Sequence, residues 1–428
     1  MSWRDLPPQR ARRIGFASTR FHGTDGVSLE AAKWAAVLEG LGHACFYLAG
    51  SSDRPADRSR VVPEALFTHP DVRAIYDAAF ASDRRPPETT GAIHRLTAHL
   101  KAAVEAFLDD FGIELLILEN AVTIPMNIPL GLALTEVLAE RGLPAIAHHH
   151  DFPWERQRYL RNAVGDYLAM AFPPRLPSIH HVVISSLAAC QLSLRTGNSA
   201  MLIPNVMDFA APLAALDDYT DDLRADLGLQ PEERLLLQPT RVVQRKGIEH
   251  AIELARRLER PVRLVISHAS GDERDDYEGR LREYAGMLRV PVNFVSELIQ
   301  ERRGRTADGR KVYALADVYH HADLVTYPST IEGFGNAFLE AIYFRRPVVV
   351  NNYSIYELDI KPRGFRVIEF DGYITEATLR HARQVLDDPS LAQAMVEHNA
   401  ALGLRYFSYD VLARHLTTLL ADCFGEEV

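Results

Sequence analysis

Ala322-Asp323-Leu324-Val325-Thr326-Tyr327-Pro328, continuing into Ser329-Thr330-Ile331-Glu332-Gly333-Phe334-Gly335-Asn336-Ala337-Phe338-Leu339-Glu340, decides how this chain is read. The first part is a short apolar run with the form of a buried strand, followed by a Gly-x-Gly turn and an apolar helix. Such a turn leaves backbone N–H groups unpaired at a helix N-terminus, where partial positive charge suits a phosphate. Glu340 falls on the helix beyond the turn that carries Glu332, within reach of the hydroxyls of a nucleotide bound there. Strand, glycine turn, helix and two carboxylates together imply a nucleotide-sugar site.

Outward from this segment, strand-like runs alternate with helical spacing along nearly the whole chain, which is the pattern of an α/β fold with parallel sheets. In the first half the strand candidates are 13–18, 44–48, 115–118, 145–148 and 181–185, with a helix over 28–41. The charged, proline-containing segment 51–95 reads as an excursion from the sheet. The series restarts after Ile203-Pro204-Asn205, with strands at 235–238, 263–267, 292–295, 324–327 and 347–350 and helices over 247–258 and 378–386. Two doubly wound halves are expected, joined by a linker near 205–221. In such sheets ligands bind beyond the carboxyl ends of the strands, so two facing halves would form a cleft.

Length and composition agree with that division. A chain of 428 residues exceeds what one hydrophobic core supports, so two domains of roughly 200 residues are expected. Hydrophobic residues at 47% and charged residues at 24% describe an ordinary globular protein. A formal net charge of −10 argues against general binding to nucleic acid. Cys45, Cys190 and Cys423 lie far apart and outside any C-x-x-C spacing, which indicates neither a disulfide framework nor a zinc site. Ile14-Gly15-Phe16-Ala17 is too short for a signal-peptide segment, and no run of about 18 apolar residues occurs. A soluble cytoplasmic protein with no integral membrane segment is expected.

The second motif is Gln238-Pro239-Thr240-Arg241-Val242-Val243-Gln244-Arg245-Lys246-Gly247-Ile248, again between a strand and a helix. Arg241 and Lys246 can both approach a diphosphate, Arg through its planar fork and Lys as a point charge. Alone, this is a solvated basic turn; joined to the two downstream glutamates, it reads as the group that stabilises a leaving diphosphate.

These residues resemble the retaining glycosyltransferases of family 4, which have the two-domain GT-B fold of two Rossmann-like domains facing across a cleft. Arg241 and Lys246 are similar to the family's Arg-x4-Lys pair and Glu332 with Glu340 to its Glu-x7-Glu motif, while Ile203-Pro204-Asn205-Val206-Met207-Asp208 resembles its interdomain Pro-Asn-Gly-Val-Asp with Val206 in place of glycine. The resemblance implies an acceptor-side domain over 1–207, a donor domain over 208–405, and a terminal helix over 406–428 that crosses back to the first domain. It further implies that Arg241 and Lys246 hold the donor diphosphate, Glu340 the ribose, and Glu332 the transferred sugar. Backbone N–H groups of Gly333, Phe334, Gly335 and Asn336 would bind donor oxygens. His268 stands where the family has a glycine-rich donor loop, which leaves donor identity open.

In the first half, Phe21-His22-Gly23-Thr24-Asp25-Gly26-Val27-Ser28 lies between strand and helix. By resemblance Gly26 is the donor contact there, although Asp25 or Ser28 capping a turn explains the same residues. His148-His149-His150-Asp151-Phe152-Pro153-Trp154-Glu155-Arg156 is more distinctive. A metal is disfavoured there, because adjacent residues of an extended chain point to opposite faces. By resemblance a histidine after this strand reaches the transferred sugar; His150 is the better match and His149 the alternative. Trp154 is either an apolar platform for the acceptor or simply core, and Arg156 and Arg158 either recognise a polar or anionic acceptor or are solvated.

The expected reaction is retaining, metal-independent transfer of a hexose from a nucleoside diphosphate sugar to a small polar acceptor, with no cofactor required. No Asp-x-Asp occurs, and the acidic pair Asp275-Asp276 lies in a hydrophilic stretch. The histidine and basic motifs jointly resemble enzymes that build mannosylglucosylglycerate, a compatible solute, which implies GDP-mannose as donor and glucosylglycerate as acceptor. A non-hydrolysing nucleotide-sugar epimerase, a sugar-nucleotide binding protein and a transferase using UDP-glucose stay open, as do linkage and oligomeric state.

Overall fold

The structure, a computed structural model, describes residue 3 and residues 10–23, 25–213, 215–270, 276–300 and 302–426. The chain forms two compact units: Met1–Val206 together with Tyr409–Val428, and Met207–Ser408.

The first unit contains β1 (Arg13–Ala17), β2 (Ala44–Ala49), β3 (Ser59–Val61), β4 (Leu115–Glu119), β5 (Ala145–His149), β6 (Ile179–Val183) and β7 (Ala200–Leu202). They form one parallel sheet in the order β3-β2-β1-β4-β5-β6-β7. Ile14, Phe16, Leu115, Ile117 and Ile146 face one layer of helices, and Ala17, Leu116, Leu118 and Ala145 face the other. Both faces are covered, which is why these strands read as near-continuous apolar runs. The helix Tyr409–Phe424 belongs to this unit, with Leu412, Ala413, Leu416, Leu419 and Leu420 in the same core as Trp34 and Leu38.

The second unit contains β8 (Arg234–Gln238), β9 (Val262–Ile266), β10 (Val292–Phe294), β11 (Ile299–Gln300), β12 (Gly304–Arg305), β13 (Lys311–Ala314), β14 (Leu324–Tyr327), β15 (Val348–Asn351) and β16 (Ile368–Phe370). Its main sheet is parallel with order β10-β9-β8-β14-β15-β16, and β11, β13 and β12 make a small separate sheet. Helix Ile248–Arg257 buries Ile248, Ala251, Ile252, Leu254 and Ala255 along one stripe, as its periodicity requires.

In each main sheet the strand order reverses beside the unit's first strand, between β1 and β4 and between β8 and β14. That reversal opens a crevice at the carboxyl ends of the strands, the position where doubly wound sheets bind ligands. No helix among the described residues is long and apolar enough to cross a membrane.

Two local expectations are corrected, and some short strands have no counterpart in the sequence reading. Segment 51–95 is not wholly an excursion: β3 pairs with β2, and helix Pro70–Ala81 and the start of helix Pro87–Phe111 follow. The strand expected over 181–185 is Ile179–Val183, because Ser185 is used as a helix N-cap and accepts from the N–H of Ala188 at 3.2 Å. The short strands β7 and β16 and those of the small sheet are too short to stand out as runs.

Candidate active site

In the second unit the site grows from the ends of β8 and β14. Gln238, the last residue of β8, donates to Thr240 Oγ1 at 2.7 Å and accepts from Thr326 Oγ1 of β14 at 2.7 Å. These buried side chains fix where the two loops leave the sheet. The loops are then stitched together: the N–H of Thr330 donates to the carbonyl of Arg245 at 2.9 Å, and Asn351 at the end of β15 donates to the carbonyl of Ser329 at 3.1 Å.

Two glycines make this geometry possible. Gly247 has φ +58°, and a Cβ there would stand 2.5 Å from the carbonyl oxygen of Pro328. Gly335 has φ +139°, and a Cβ there would stand 2.5 Å from the Tyr353 hydroxyl. Any larger residue at either position forces the loops apart or strains the backbone.

The stitching brings Lys246 against Glu332. Their side chains are 11% and 8% exposed, Lys246 Nζ donates to Glu332 Oε1, and Arg245 reaches Glu332 Oε2 at 3.3 Å. Burial alone would raise the Glu332 pKa, but the neighbouring Lys246 and Arg245 hold it below the usual carboxylate range. Burial lowers the Lys246 pKa, with Arg245 and Arg241 adding to the effect and Glu332 opposing it. Arg241 is exposed at the start of the same loop. His268 follows β9; burial and then the charges of Arg241 and Lys246 push its pKa down to about 4, so a neutral imidazole borders the cationic pair.

Helix Asn336–Tyr343 begins directly after the glycine turn. Gly333 is exposed, while Phe334 is buried with its carbonyl accepting from the Tyr353 hydroxyl at 2.8 Å. Asn336 is the first helical residue, so the N–H groups of this turn lie at the helix N-terminus. Glu340 sits one turn into the helix and accepts from the buried Tyr319 hydroxyl at 2.9 Å. The structure thus brings Lys246, Glu332 and the turn Gly333–Asn336 together on the two loops at one switch point. Arg245, Tyr353 and Tyr319, which hold this set in place, carry no recognisable sequence signal because their roles depend on contacts between distant segments.

In the first unit the strand ends of β4 and β5 hold a different set. His148, on β5, is in register with Glu119 on β4. The Glu119 carboxylate is fully buried and lies 3.1 Å from His148 Nδ1 and 3.0 Å from His150 Nε2. Trp34 stacks on His148 at 4.2 Å between centroids, and His148 lies 4.2 Å from His150. Alternation separates neighbours, but it places His148 and His150 two residues apart on one side, so the argument that this histidine run cannot share a ligand holds only for adjacent members. Glu119, His148 and His150 are the one group among the described residues with donor atoms close enough together to hold a metal ion.

His149 points elsewhere. It is fully buried, with Nδ1 2.6 Å from Thr123 Oγ1 and Nε2 2.9 Å from His181 Nδ1. Both ring nitrogens, of the residue that the sequence offers as the alternative to His150, are thus engaged inside the fold.

Trp154 is stacked on Phe152 at 4.5 Å, with the Arg195 guanidinium 5.4 Å from its ring, and its Nε1 donates to Gln191 at 2.7 Å. Phe152 thus takes one face of the ring, and the side chain as a whole is half-buried. Arg156 pairs with Asp151, and Arg158 is exposed with its guanidinium 4.8 Å from the Tyr159 ring. Gly26 is the first residue of helix Gly26–Gly40, capped by Asp25, whose carboxylate accepts from the N–H groups of Val27 and Ser28 at 3.2 Å. Thr24, Gly271 and Asp275 lie outside the described residues.

Comparison with known proteins agrees with this chemistry. Residues 309–401 match the family model described as glycosyl transferases group 1. The chain is 30% identical over 377 residues to mannosylglucosylglycerate synthase of Petrotoga mobilis, covering 83% of this chain and 86% of that protein. It is 29% identical over 430 residues to the mannosylglucosylglycerate synthase of Thermotoga maritima, covering 92% of this chain and 96% of that protein. Among solved structures it is similar to Anabaena HepE in complex with UDP-glucose, with a TM-score of 0.64, 14% identity, and coverage of 96% of this chain and all of that one. Two Rossmann-like units, a cationic loop and a helix N-terminus at a switch point, and a relative at this identity over most of both chains lead to one conclusion: the chain belongs to the group 1 glycosyltransferases and has the GT-B fold.

Proposed function

We propose that the protein transfers mannose from GDP-mannose to a hydroxyl of glucosylglycerate, with retention of anomeric configuration. The observation that carries this reading is the buried Lys246–Glu332 pair beside the Gly333–Asn336 turn at the β8/β14 switch point, in a chain similar over most of its length to mannosylglucosylglycerate synthases.

In this reading the second unit takes the donor and the first presents the acceptor. Arg241 and Lys246 bind the diphosphate, the turn N–H groups bind its oxygens, Glu340 holds the ribose and Glu332 the transferred sugar, while His150 is the first unit's own sugar contact. The acceptor oxygen bonds to the anomeric carbon as the bond from that carbon to the phosphate oxygen breaks. The acceptor proton passes to the departing phosphate on the same face, so no covalent enzyme intermediate is needed. Charge develops on the leaving diphosphate, and fixed cations aimed at it in a dry site stabilise the transition state more than the ground state. Arg241 and Lys246 supply that charge, so activity is expected to survive chelation of divalent ions. Arg156 and Arg158 suit the carboxylate of the acceptor, and three scattered free cysteines suit a reducing cytoplasm.

The test is product analysis by mass spectrometry after incubation with GDP-mannose, UDP-glucose or ADP-glucose, each with and without glucosylglycerate. Mannose added only when both GDP-mannose and glucosylglycerate are present is the expected result. Isomerisation of a donor without acceptor would replace this reading with an epimerase.

A further inference from the structure

The buried Glu119 carboxylate has no role in the proposed reaction, yet several independent contacts fix it in the first unit. It ends β4, is fully shielded from solvent, and meets two imidazoles at once. Its backbone is fixed by the Ser18 hydroxyl, which donates to the Glu119 carbonyl at 2.9 Å. The next residue, Asn120, has φ +57°, an uncommon conformation that Asn tolerates better than most residues. From there the Asn120 side chain accepts from the N–H of His150 at 3.1 Å and donates to Asp151 at 3.1 Å. Consecutive residues of β4 and its loop therefore hold both the ring and the backbone of His150.

An ionised carboxylate only accepts hydrogen bonds, so both nitrogens that face Glu119 carry hydrogen. For His148 this places the proton on Nδ1. Its Nε2, buried without a hydrogen-bond partner, is then a bare lone pair on a neutral ring, a smaller penalty than an orphaned N–H of a charged one. For His150 the proton is on Nε2, which leaves Nδ1 as the nitrogen not committed to Glu119.

We propose that Glu119 is a positioning residue for glycosyl transfer, holding His150 by Nε2 so that Nδ1 is the atom presented to the sugar. The inference rests on the reading of His150 as a sugar contact. In the neutral ring Nδ1 accepts a hydroxyl proton, and in the protonated ring it donates to a hydroxyl oxygen. Besides Glu119, the titratable groups that face or border this ring are His148 on β5, Asp151 in the following loop, and Glu30 of helix Gly26–Gly40, which is itself paired with Lys33. Burial lowers the His150 pKa, but the carboxylates outweigh it and hold it above the ordinary histidine value.

The experiment compares E119Q, H150A and the double variant in steady-state transfer, with thermal melts as a check on folding. E119Q keeps the side-chain volume but removes the charge, and the new amide no longer dictates a single tautomer. Loss of a partner that orients a working imidazole typically costs about 10- to 100-fold, and we expect kcat of E119Q to fall by about that factor with donor KM nearly unchanged. The pH limb belonging to His150 should move to lower pH, since removing a carboxylate lowers an imidazole pKa. The double variant should be no slower than H150A alone.

Wild-type kcat and pH profile in E119Q, with H150A impaired, would overturn the positioning role and leave the proposed function standing. Full activity of H150A would instead overturn the sugar contact on which the inference rests. If E119Q does not fold, nitrogen NMR of histidine-labelled wild-type protein decides: hydrogen on Nε2 of His150 supports the inference, and the opposite tautomer overturns it. A stoichiometric divalent ion in the purified protein that is lost in E119Q would also overturn it, because the three side chains would then be ligands.

Discussion

Each unit places a buried glutamate beside its switch point, and the two glutamates are paired with different chemistry. Glu332 meets Lys246 and Arg245, whereas Glu119 meets His148 and His150. Guanidinium keeps its charge across the physiological range and an ammonium ordinarily titrates far above it, while imidazole changes charge within it. The second unit is thus suited to a ligand of constant charge, such as a diphosphate. The first is suited to neutral hydroxyls, where a ring that can either accept or donate is useful. In the proposed reaction this contrast gives the basic motif and the histidine motif, both at strand ends, different halves of the transfer.

Breaking the cationic pair is the harshest test of that contrast. Lys246→Ala removes a charge aimed at the leaving group and is expected to lower kcat about a hundredfold or more, on the order of 3 kcal/mol in the barrier. It also leaves Glu332 buried with only Arg245 opposite, so the melting temperature should drop as well, by the equivalent of about 3 kcal/mol. Adding Glu332→Gln to that variant should restore much of the stability and none of the activity. Recovery of both would mean that Lys246 serves the fold and not the donor.

The glycine turn offers a second, smaller perturbation confined to the second unit. Gly335→Ala puts a methyl group 2.5 Å from the Tyr353 hydroxyl at a φ of +139°. The expected cost is about 2–3 kcal/mol, from backbone strain and loss of the Tyr353 bond to the Phe334 carbonyl. Isothermal titration with the donor nucleotide should show weakened binding. Unchanged donor affinity would show that the turn N–H groups do not hold the ligand.

Acid sharpens the comparison from the side of the first unit. Burial pushes the His181 pKa down to about 4 from an ordinary 6.5, and burial with His181 beside it drives His149 in the same direction. In the folded unit His149 and His181 therefore prefer neutral rings, while the unfolded chain takes up protons as pH falls below about 6.5; His150, whose pKa is held up by the carboxylates, acts in the opposite sense. The contribution of His149 and His181 should be complete above that value and lost progressively toward pH 4, by about 2 kcal/mol at pH 5 for His181 alone. His268 contributes in the same sense from the second unit. Between pH 7 and pH 5 the Lys246–Glu332 pair adds almost nothing to the slope, because the carboxylate is ionised in the folded and the unfolded chain alike; its stabilisation is lost only as pH falls through the ordinary 4.5 and below. Chemical denaturation at pH 7 and pH 5 measures the slope, and His181→Gln should flatten it. An unchanged slope would place the acid-sensitive step elsewhere.

The donor-side loops are legible in the sequence because their information is local. Ala322–Glu340 reads as strand, glycine turn and helix, and the structure has β14 followed by helix Asn336–Tyr343. The histidine run is legible as a site but not in detail. A period of two already puts His148 and His150 on one side of a strand, but only the register of β5 on β4 brings Glu119 to meet them. Sequence admits His149 as the alternative sugar contact because adjacent histidines look alike there; its partners Thr123 and His181 come from segments 26 and 32 residues away.

Architecture and the kind of ligand are written along the chain. Alternating apolar runs and helical spacings dictate doubly wound sheets, and basic and glycine-rich turns at strand ends carry the proposal of a phosphate site, since both are read from spacing along a few residues. Which charges are paired, and which ring nitrogens are committed, emerges only from the folded arrangement. Those pairings depend on strand order and register, set by burying both faces of each sheet, and no local spacing encodes which distant residue will lie opposite.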